Sequence, residues 1–273
     1  MKYLQNLHTH STFCDGKYSL EEMVKGAIDK GFHSLGFSGH GYTSWWSEYC
    51  MTEEGTKQYK EEIKRLKEVY KDQIDLYCGL EMDLYCDGDL SGFDYILGSV
   101  HAFQVNGHRV DFDQNADKVR KIINEEFGGD GMKYAKRYYE TVAELAQCKN
   151  VDFVGHFDII TKHYDRENFF DVESAEYKRY ALEALDAVSS KIQLFEINSG
   201  AIARGYRKTS YPDDFILKGM KERGCGIVIT SDCHDYHGLD CHFDEMAERM
   251  RAAGFKERYI LTKSGFEAIG LDD

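Results

Sequence analysis

Tyr3-Leu4-Gln5-Asn6-Leu7-His8-Thr9-His10 is a short strand-like run that ends in two histidines, two residues apart. Side chains two apart on a strand share one face, so both imidazoles can aim at one point beyond the strand end. Near the other end of the chain, Ile227-Val228-Ile229-Thr230-Ser231-Asp232-Cys233-His234 repeats the arrangement. Seven runs are of this kind. They end in His8 and His10; His40; Glu81 and Asp83; His101; His156 and Asp158; Glu196 and Asn198; and Asp232 and His234. Ligand-type side chains at so many strand ends point to a barrel with a metal site at its C-terminal mouth.

The runs define candidate strands at residues 3–7, 34–38, 74–80, 95–100, 151–155, 193–197 and 226–230. Helical patterns lie between most of them. Ser19 with Glu22 three residues on is a capping-box signature for a helix that should stop at Gly31. Thr52, Glu53 and Glu54 open a second, charged helix, and residues 133–147, 173–190, 213–223 and 244–253 read similarly. Alternating strands and helices imply parallel pairing with crossover helices, and hence a seven- or eight-stranded βα barrel. No linker divides the chain, so a single domain over residues 1–273 is expected. One excursion departs from the pattern. Asn106-Gly107 lies between alternating residues, a strong hairpin signal near residues 102–112. An aromatic segment at 42–49, with Trp45 and Trp46, follows another strand end. Both segments can wall the site or simply cover the barrel rim.

The 273 residues carry a formal charge of −14. Such a surface disfavours nucleic acid and anionic membrane as partners. No apolar run has transmembrane length. The chain enters its first strand with no basic or hydrophobic leader, which reads as an unexported, cytoplasmic protein. The eight cysteines form no C-x-x-C pair, which suits a reducing compartment. Cys14 and Cys233, although inside ligand motifs, read as small strand-end or loop residues. A homo-oligomer is compatible with a helix-rich barrel.

Any one of these motifs means little alone; coincidence carries the argument. Six of the eleven histidines fall at expected strand ends. His33, His108, His163, His237 and His242 are assigned to surface or loop roles. The first loop adds Asp15. Nine candidate ligands result: His8, His10, Asp15, His40, Glu81, His101, His156, Asp232 and His234. That exceeds the needs of one ion, so two or three divalent ions are implied, with Glu81 bridging. Mixed imidazole and carboxylate suit zinc, iron or manganese. Bound cations would make the local charge positive, about +3 for three ions, and phosphate-seeking in an otherwise acidic protein.

HTHSTFCDG at the start, SGH at 38–40, GLEMD at 79–83, GSVH at 98–101, GHFD at 155–158, EINSGAIARG at 196–205 and TSDCH at 230–234 occur in order. This series resembles the PHP (polymerase and histidinol phosphatase) superfamily, and within it the monofunctional histidinol-phosphate phosphatases. The resemblance implies a distorted (β/α)7 TIM-like barrel with a trinuclear centre. It implies one ion on His8, His10, Glu81 and Asp232, a second on Asp15, His40 and His234, and a third on Glu81, His101 and His156. The expected reaction is hydrolysis of L-histidinol phosphate by metal-activated water, with a small phosphorylated substrate as partner. The family's arginine corresponds to Arg204, at a spacing one residue longer.

Arg204 is the expected phosphate clamp, with Lys162 and Arg207 as further basic candidates. Asp158 could orient a ligand histidine or protonate the leaving oxygen. Asp83 and Glu196 could meet the substrate ammonium or support the ligand residues from behind, and Tyr42, Trp45 and Phe103 could hold the imidazole. Three rivals remain: a phosphoesterase of the same superfamily acting on nucleotides or other phosphorylated metabolites, a metal-dependent amidohydrolase, and a non-catalytic PHP module. The extra ligands at His40, His101 and Asp232/His234 argue against the second. The full set of nine argues against the third.

Overall fold

The computed structural model describes residues 1–45 and 48–273; Trp46, named above in the aromatic segment, lies outside the described residues. From the N-terminus, β1 (Gln5–Asn6), α1 (Leu20–Asp29), β2 (Ser34–Phe37), α2 (Glu53–Tyr70), β3 (Asp75–Asp83) and β4 (Tyr95–Ser99) follow one another. A hairpin of β5 (Ala102–Val105) and β6 (His108–Asp111) then leads into α3 (Ala116–Phe127) and α4 (Gly131–Glu144). Next come β7 (Phe153–Val154), α5 (Ala175–Ser189), β8 (Leu194–Asn198), the short α6 (Gly200–Ala203), α7 (Asp214–Glu222) and β9 (Gly226–Thr230). α8 (Phe243–Ala252) and a hairpin of β10 (Glu257–Thr262) and β11 (Gly265–Gly270) complete the order.

Seven strands form one sheet in the order β1-β2-β3-β4-β7-β8-β9, each paired parallel to its neighbour. The two edges meet in a bridge between Thr9 and Cys233. There the His10 N–H donates to the Cys233 carbonyl at 2.8 Å, and the Cys233 N–H to the His8 carbonyl at 3.0 Å. Below that point side chains replace the ladder. Asn6 Nδ2 donates to Ser231 Oγ at 2.6 Å and to the Leu239 carbonyl at 2.9 Å. The fold is therefore a distorted seven-stranded TIM-like barrel, nearly closed, as the alternating pattern implied.

All seven expected strands form, and the capping box at Ser19 and Glu22 is made. Burial explains why two-residue strands suffice at β1 and β7. Their neighbours in the barrel interior, Leu7, Tyr77, Tyr95, Leu97, Phe153, Val228 and Leu261, are all buried and form one cluster. Tyr95 crosses the inside of the sheet and donates its hydroxyl to the Leu7 carbonyl at 2.6 Å. A Cβ on Gly79 would lie 2.1 Å from the Tyr95 ring, so the tyrosine needs glycine there.

The short α6, the helix α3 and the β10–β11 hairpin were not anticipated. α3 follows directly on the hairpin, capped by Asn115. The β10–β11 hairpin seals the end of the barrel remote from the strand C-termini. Leu261, Tyr259 and Phe266 pack on the interior cluster, and the Gln5 side chain both donates to and accepts from the Leu261 backbone, at 2.8 and 2.7 Å. Among the described residues, no helix is long and apolar enough to cross a membrane.

Candidate metal centre

At the end of β1, the Asn6 side chain accepts the His8 N–H at 3.0 Å and turns the chain so that His8 and His10 both face the barrel axis. His8 Nδ1 is held by Glu196 Oε2 at 2.9 Å. Its Nε2 then lies 3.2 Å from Glu81 Oε2 and 3.5 Å from Asp232 Oδ1. His10 Nε2 lies 3.2 Å from Asp232 Oδ1 and 3.5 Å from Glu81 Oε2. Glu81, at the end of β3, is the hub. His40 Nδ1 is 3.0 Å from its Oε2, while His156 Nε2 and His101 Nε2 are 3.1 and 3.4 Å from its Oε1. On the outer side, Asp15 Oδ2 meets His234 Nε2 at 3.1 Å, and Asp15 Oδ1 is 3.6 Å from both His10 and His40. Asp232 sits at a φ of +48°, a region that aspartate tolerates better than most residues. A Cβ on Gly200 would fall 2.8 Å from that of Asp232, so the β8 loop can close over it only with glycine.

All nine candidate ligands therefore converge at the C-terminal mouth. They fall into four overlapping groups with ligand atoms within 4.8 Å of one another: His10, Asp15, His40 and His234; His8, His10 and Asp232; His8, Glu81 and His156; His40, Glu81 and His101. Three inward atoms, His8 Nε2, His10 Nε2 and Glu81 Oε2, are buried and make no directed hydrogen bond. Native proteins seldom leave buried polar atoms so. Their lone pairs share one small space, which fits a cluster of cations.

The electrostatics agree. Burial works against charge on every group here, yet the Glu196, Glu81 and Asp232 carboxylates outweigh it and hold His8 well above the usual imidazole range. His101 is likewise carried to about 9 against burial, by Glu81 and Asp83. His10, buried beside His234 and His40, drops to about 3. Glu81 and Asp232 stay ionised despite burial, Glu81 chiefly through His8 and His40, Asp232 chiefly through Arg204 and His8. Protons on some imidazoles thus balance the buried carboxylates, a task that divalent cations perform with the same side chains.

The cavity above this cluster holds about 230 Å³. Seven of the nine line it, all but His8 and His10, and its other walls are Tyr49, Asp113, Ile159, Lys162, Arg204 and Tyr206. Arg204 reaches it, with Nη2 on Asp232 Oδ2 at 2.7 Å and Nη1 on the Asp232 carbonyl at 2.9 Å. Lys162 also reaches it, with Nζ on Asp113 Oδ1 at 2.7 Å. The other substrate-side expectations do not. Arg207 is buried away from the cavity, donating to Thr161 Oγ1 and Asp213 Oδ1 at 2.6 and 2.5 Å. Asp158 lies under the floor, where its Oδ2 accepts the Asp213 N–H at 2.9 Å. Burial and the nearby Asp213 push it up to about 7. Phe103 packs on Phe112, Phe127 and Tyr134, away from the walls. Tyr42 sits beside Gly88, and Trp45 against Tyr85 and Arg109. Asp83 and Glu196 do not touch the cavity either. Asp83 accepts the His101 and Tyr85 N–H groups, and Glu196 those of His156 and the Asn198 side chain. Asp113, Ile159 and Tyr206 are the wall residues that sequence reasoning did not single out, while Tyr49 ends the aromatic segment read there as able to wall the site. For Asp113 the only signal was its place just after the hairpin. A larger cleft of about 580 Å³, lined by Lys67, Lys71 and Lys263 among others, includes none of the nine.

A probable histidinol-phosphatase of Schizosaccharomyces pombe is 28% identical to this chain, over 86% of this chain and 82% of its own length. A DNA polymerase/3'-5' exonuclease of Bacillus subtilis is 30% identical over 98% of this chain, which spans 40% of that protein. A crystal structure of histidinol phosphate phosphatase from Lactococcus lactis, complexed with zinc, L-histidinol and phosphate, superposes with a TM-score of 0.71 at 20% identity, covering 96% of this chain and 98% of that one. The PHP domain family matches residues 6–200, a span that runs from β1 past the end of β8 and carries seven of the nine converging side chains, and the chain belongs to that family.

Proposed function

We propose that this chain is a metal-dependent phosphomonoesterase that hydrolyses L-histidinol phosphate to L-histidinol and phosphate, a step of histidine biosynthesis. The observation that carries the reading is the convergence of nine ligand-type side chains, with buried inward atoms that make no directed hydrogen bond, in a chain that aligns along most of its length with histidinol-phosphatases. Two or three divalent ions fit. Zinc is favoured by the Lactococcus lactis relative, and iron or manganese suit the same donors. His8, His10, Glu81 and Asp232 would hold one ion, Asp15, His40 and His234 a second, and Glu81, His101 and His156 a third. Such ions supply Lewis acidity to phosphoryl oxygens and lower the pKa of water to roughly 7.

The chain's own residues do the rest. Glu81, whose Oε2 faces His8, His10 and His40 and whose Oε1 faces His101 and His156, would serve more than one ion. Glu196 fixes the ring of His8, and Asp83 that of His101. Arg204 and Lys162 present positive charge on the cavity wall, where a phosphomonoester dianion would sit, and a guanidinium matches phosphate oxygens in a fork. All eight cysteines are free thiols, which supports a reducing, cytoplasmic setting.

The Bacillus subtilis relative gives a second reading, phosphoester hydrolysis on nucleotides. The formal charge of −14 weighs against a polynucleotide. Phosphate release by the purified, metal-analysed protein separates the two. L-histidinol phosphate is compared with nucleoside monophosphates and an aryl phosphate. A large kcat/KM preference for histidinol phosphate is expected, and a preference for nucleotides would replace this reading with the second.

A further inference from the structure

We infer that Asp113, paired with Lys162, selects substrates that carry an ammonium group beside the phosphate. The inference rests on the phosphomonoesterase reading and assigns the residue that recognises the alcohol part of the substrate. Among the described residues lining the cavity, Asp113 is the sole carboxylate outside the nine. It is mostly buried, and its ion-pair partner Lys162 is more so.

The position is built rather than loose. The Asp113 N–H donates to Asp111 Oδ1 at 2.9 Å. Phe112, between them, is buried and stacks on Phe103, and its N–H donates to the His101 carbonyl at 3.1 Å. His163 Nε2 meets the Gln114 carbonyl at 2.8 Å and ties this segment to the loop after β7 that carries Lys162. Lys162 Nζ lies 4.7 Å above the Tyr206 ring, so its long stem runs along the wall. Asp113 keeps its charge against burial because Lys162, His101 and Arg204 surround it.

A phosphomonoester entering this cavity competes for Lys162. Once Nζ turns to a phosphoryl oxygen, the Asp113 carboxylate is left partly desolvated with no cation, which is unfavourable. An ammonium close to the phosphate supplies the missing charge. In L-histidinol phosphate the amino group is on the carbon next to the CH2–O–P unit, so one small molecule can exchange partners with both halves of the pair. A nucleotide or aryl phosphate brings the anion alone and leaves Asp113 unpaired. Selection thus comes from a penalty on the wrong ligand as much as from a contact with the right one.

The test compares kcat/KM for L-histidinol phosphate and for its analogue lacking the amino group, in the wild type, Asp113→Asn and Lys162→Gln, with thermal melting of each protein as a check on folding. The wild type should favour the amine by roughly 10–100-fold, the range for a hydrogen bond to a charged group. Asp113→Asn should reduce the ratio to within about threefold, through KM. Lys162→Gln should slow both substrates yet raise the ratio, because Asp113 is then free for the ammonium. Opposite movement of the ratio in two variants is not what loss of packing produces. Retention of the wild-type ratio in Asp113→Asn would overturn the inference and leave the functional reading intact. Wild-type turnover of nucleotides but not of histidinol phosphate would overturn the functional reading and this inference together.

Discussion

Glu81 Oε2 lies 3.0, 3.2 and 3.5 Å from nitrogens of His40, His8 and His10, while Oε1 faces His156 and His101. No other carboxylate touches as many of the nine. Replacing Glu81 or His101 with alanine should abolish phosphate release while the far-UV spectrum stays that of a folded protein. Wild-type turnover in either variant would refute their ligand roles. Glu196 is a different case. Its oxygens hold His8 Nδ1, the His156 N–H and the Thr230 hydroxyl, so it aims two ligands without facing the cavity. Glu196→Gln should cost about 10–100-fold in metal affinity or activity, the usual effect of losing such a partner. Metal content after dialysis and kcat/KM both report it. At this scale the sequence was legible where geometry is local. A histidine at the end of a strand, two residues from another, has its direction set by the backbone. Asp113 was not legible, because its meaning depends on Lys162, 49 residues away on another loop. Arg207 failed for the same reason in reverse. Its partners Asp213 and Thr161 draw it into the interior, and no spacing rule foretells that.

β3 and β4 pair from Gly79 with Tyr95 onward, and the Tyr95 ring lies flat where a Cβ of residue 79 would stand. Gly79→Ala should therefore destabilise the fold by about 1–3 kcal/mol, the range for overpacking a core. Urea unfolding measures it, and an unchanged midpoint would mean that the ring can move aside. The seven strands and most helices were readable because apolar runs of period two alternate with capped amphipathic stretches. The β10–β11 hairpin was not, although Tyr259 and Leu261 point one way along its first strand. It belongs to no βα unit, and its role becomes visible only when the open base of the barrel is seen to need cover. α3 was hidden behind the excursion that precedes it. Its buried positions, Val119 and Ile123, are few among charged neighbours.

Across the molecule, the centre gathers residues from position 8 to position 234, so any ion bound there links most of the chain. A ligand bound only by the folded state at 1,000 times its Kd adds roughly 4 kcal/mol. For a protein of this size that corresponds to a fall in Tm of roughly 8–16 °C on chelation, at about 2–4 °C per kcal/mol. Calorimetry with and without a strong chelator checks it, and coincident melting curves would argue against tightly held ions. The barrel's weakest circumference adds a direction to this coupling. Between β1 and β9 the backbone contributes one bridge, and Asn6 laces the gap with its side chain. His8 and His10 stand on one lip of that slit, Asp232 and His234 on the other. Ions there would act as a clasp on an almost unfastened hoop, so amide exchange in the stripped protein should quicken first along these two lips and last in the β3–β4 wall opposite.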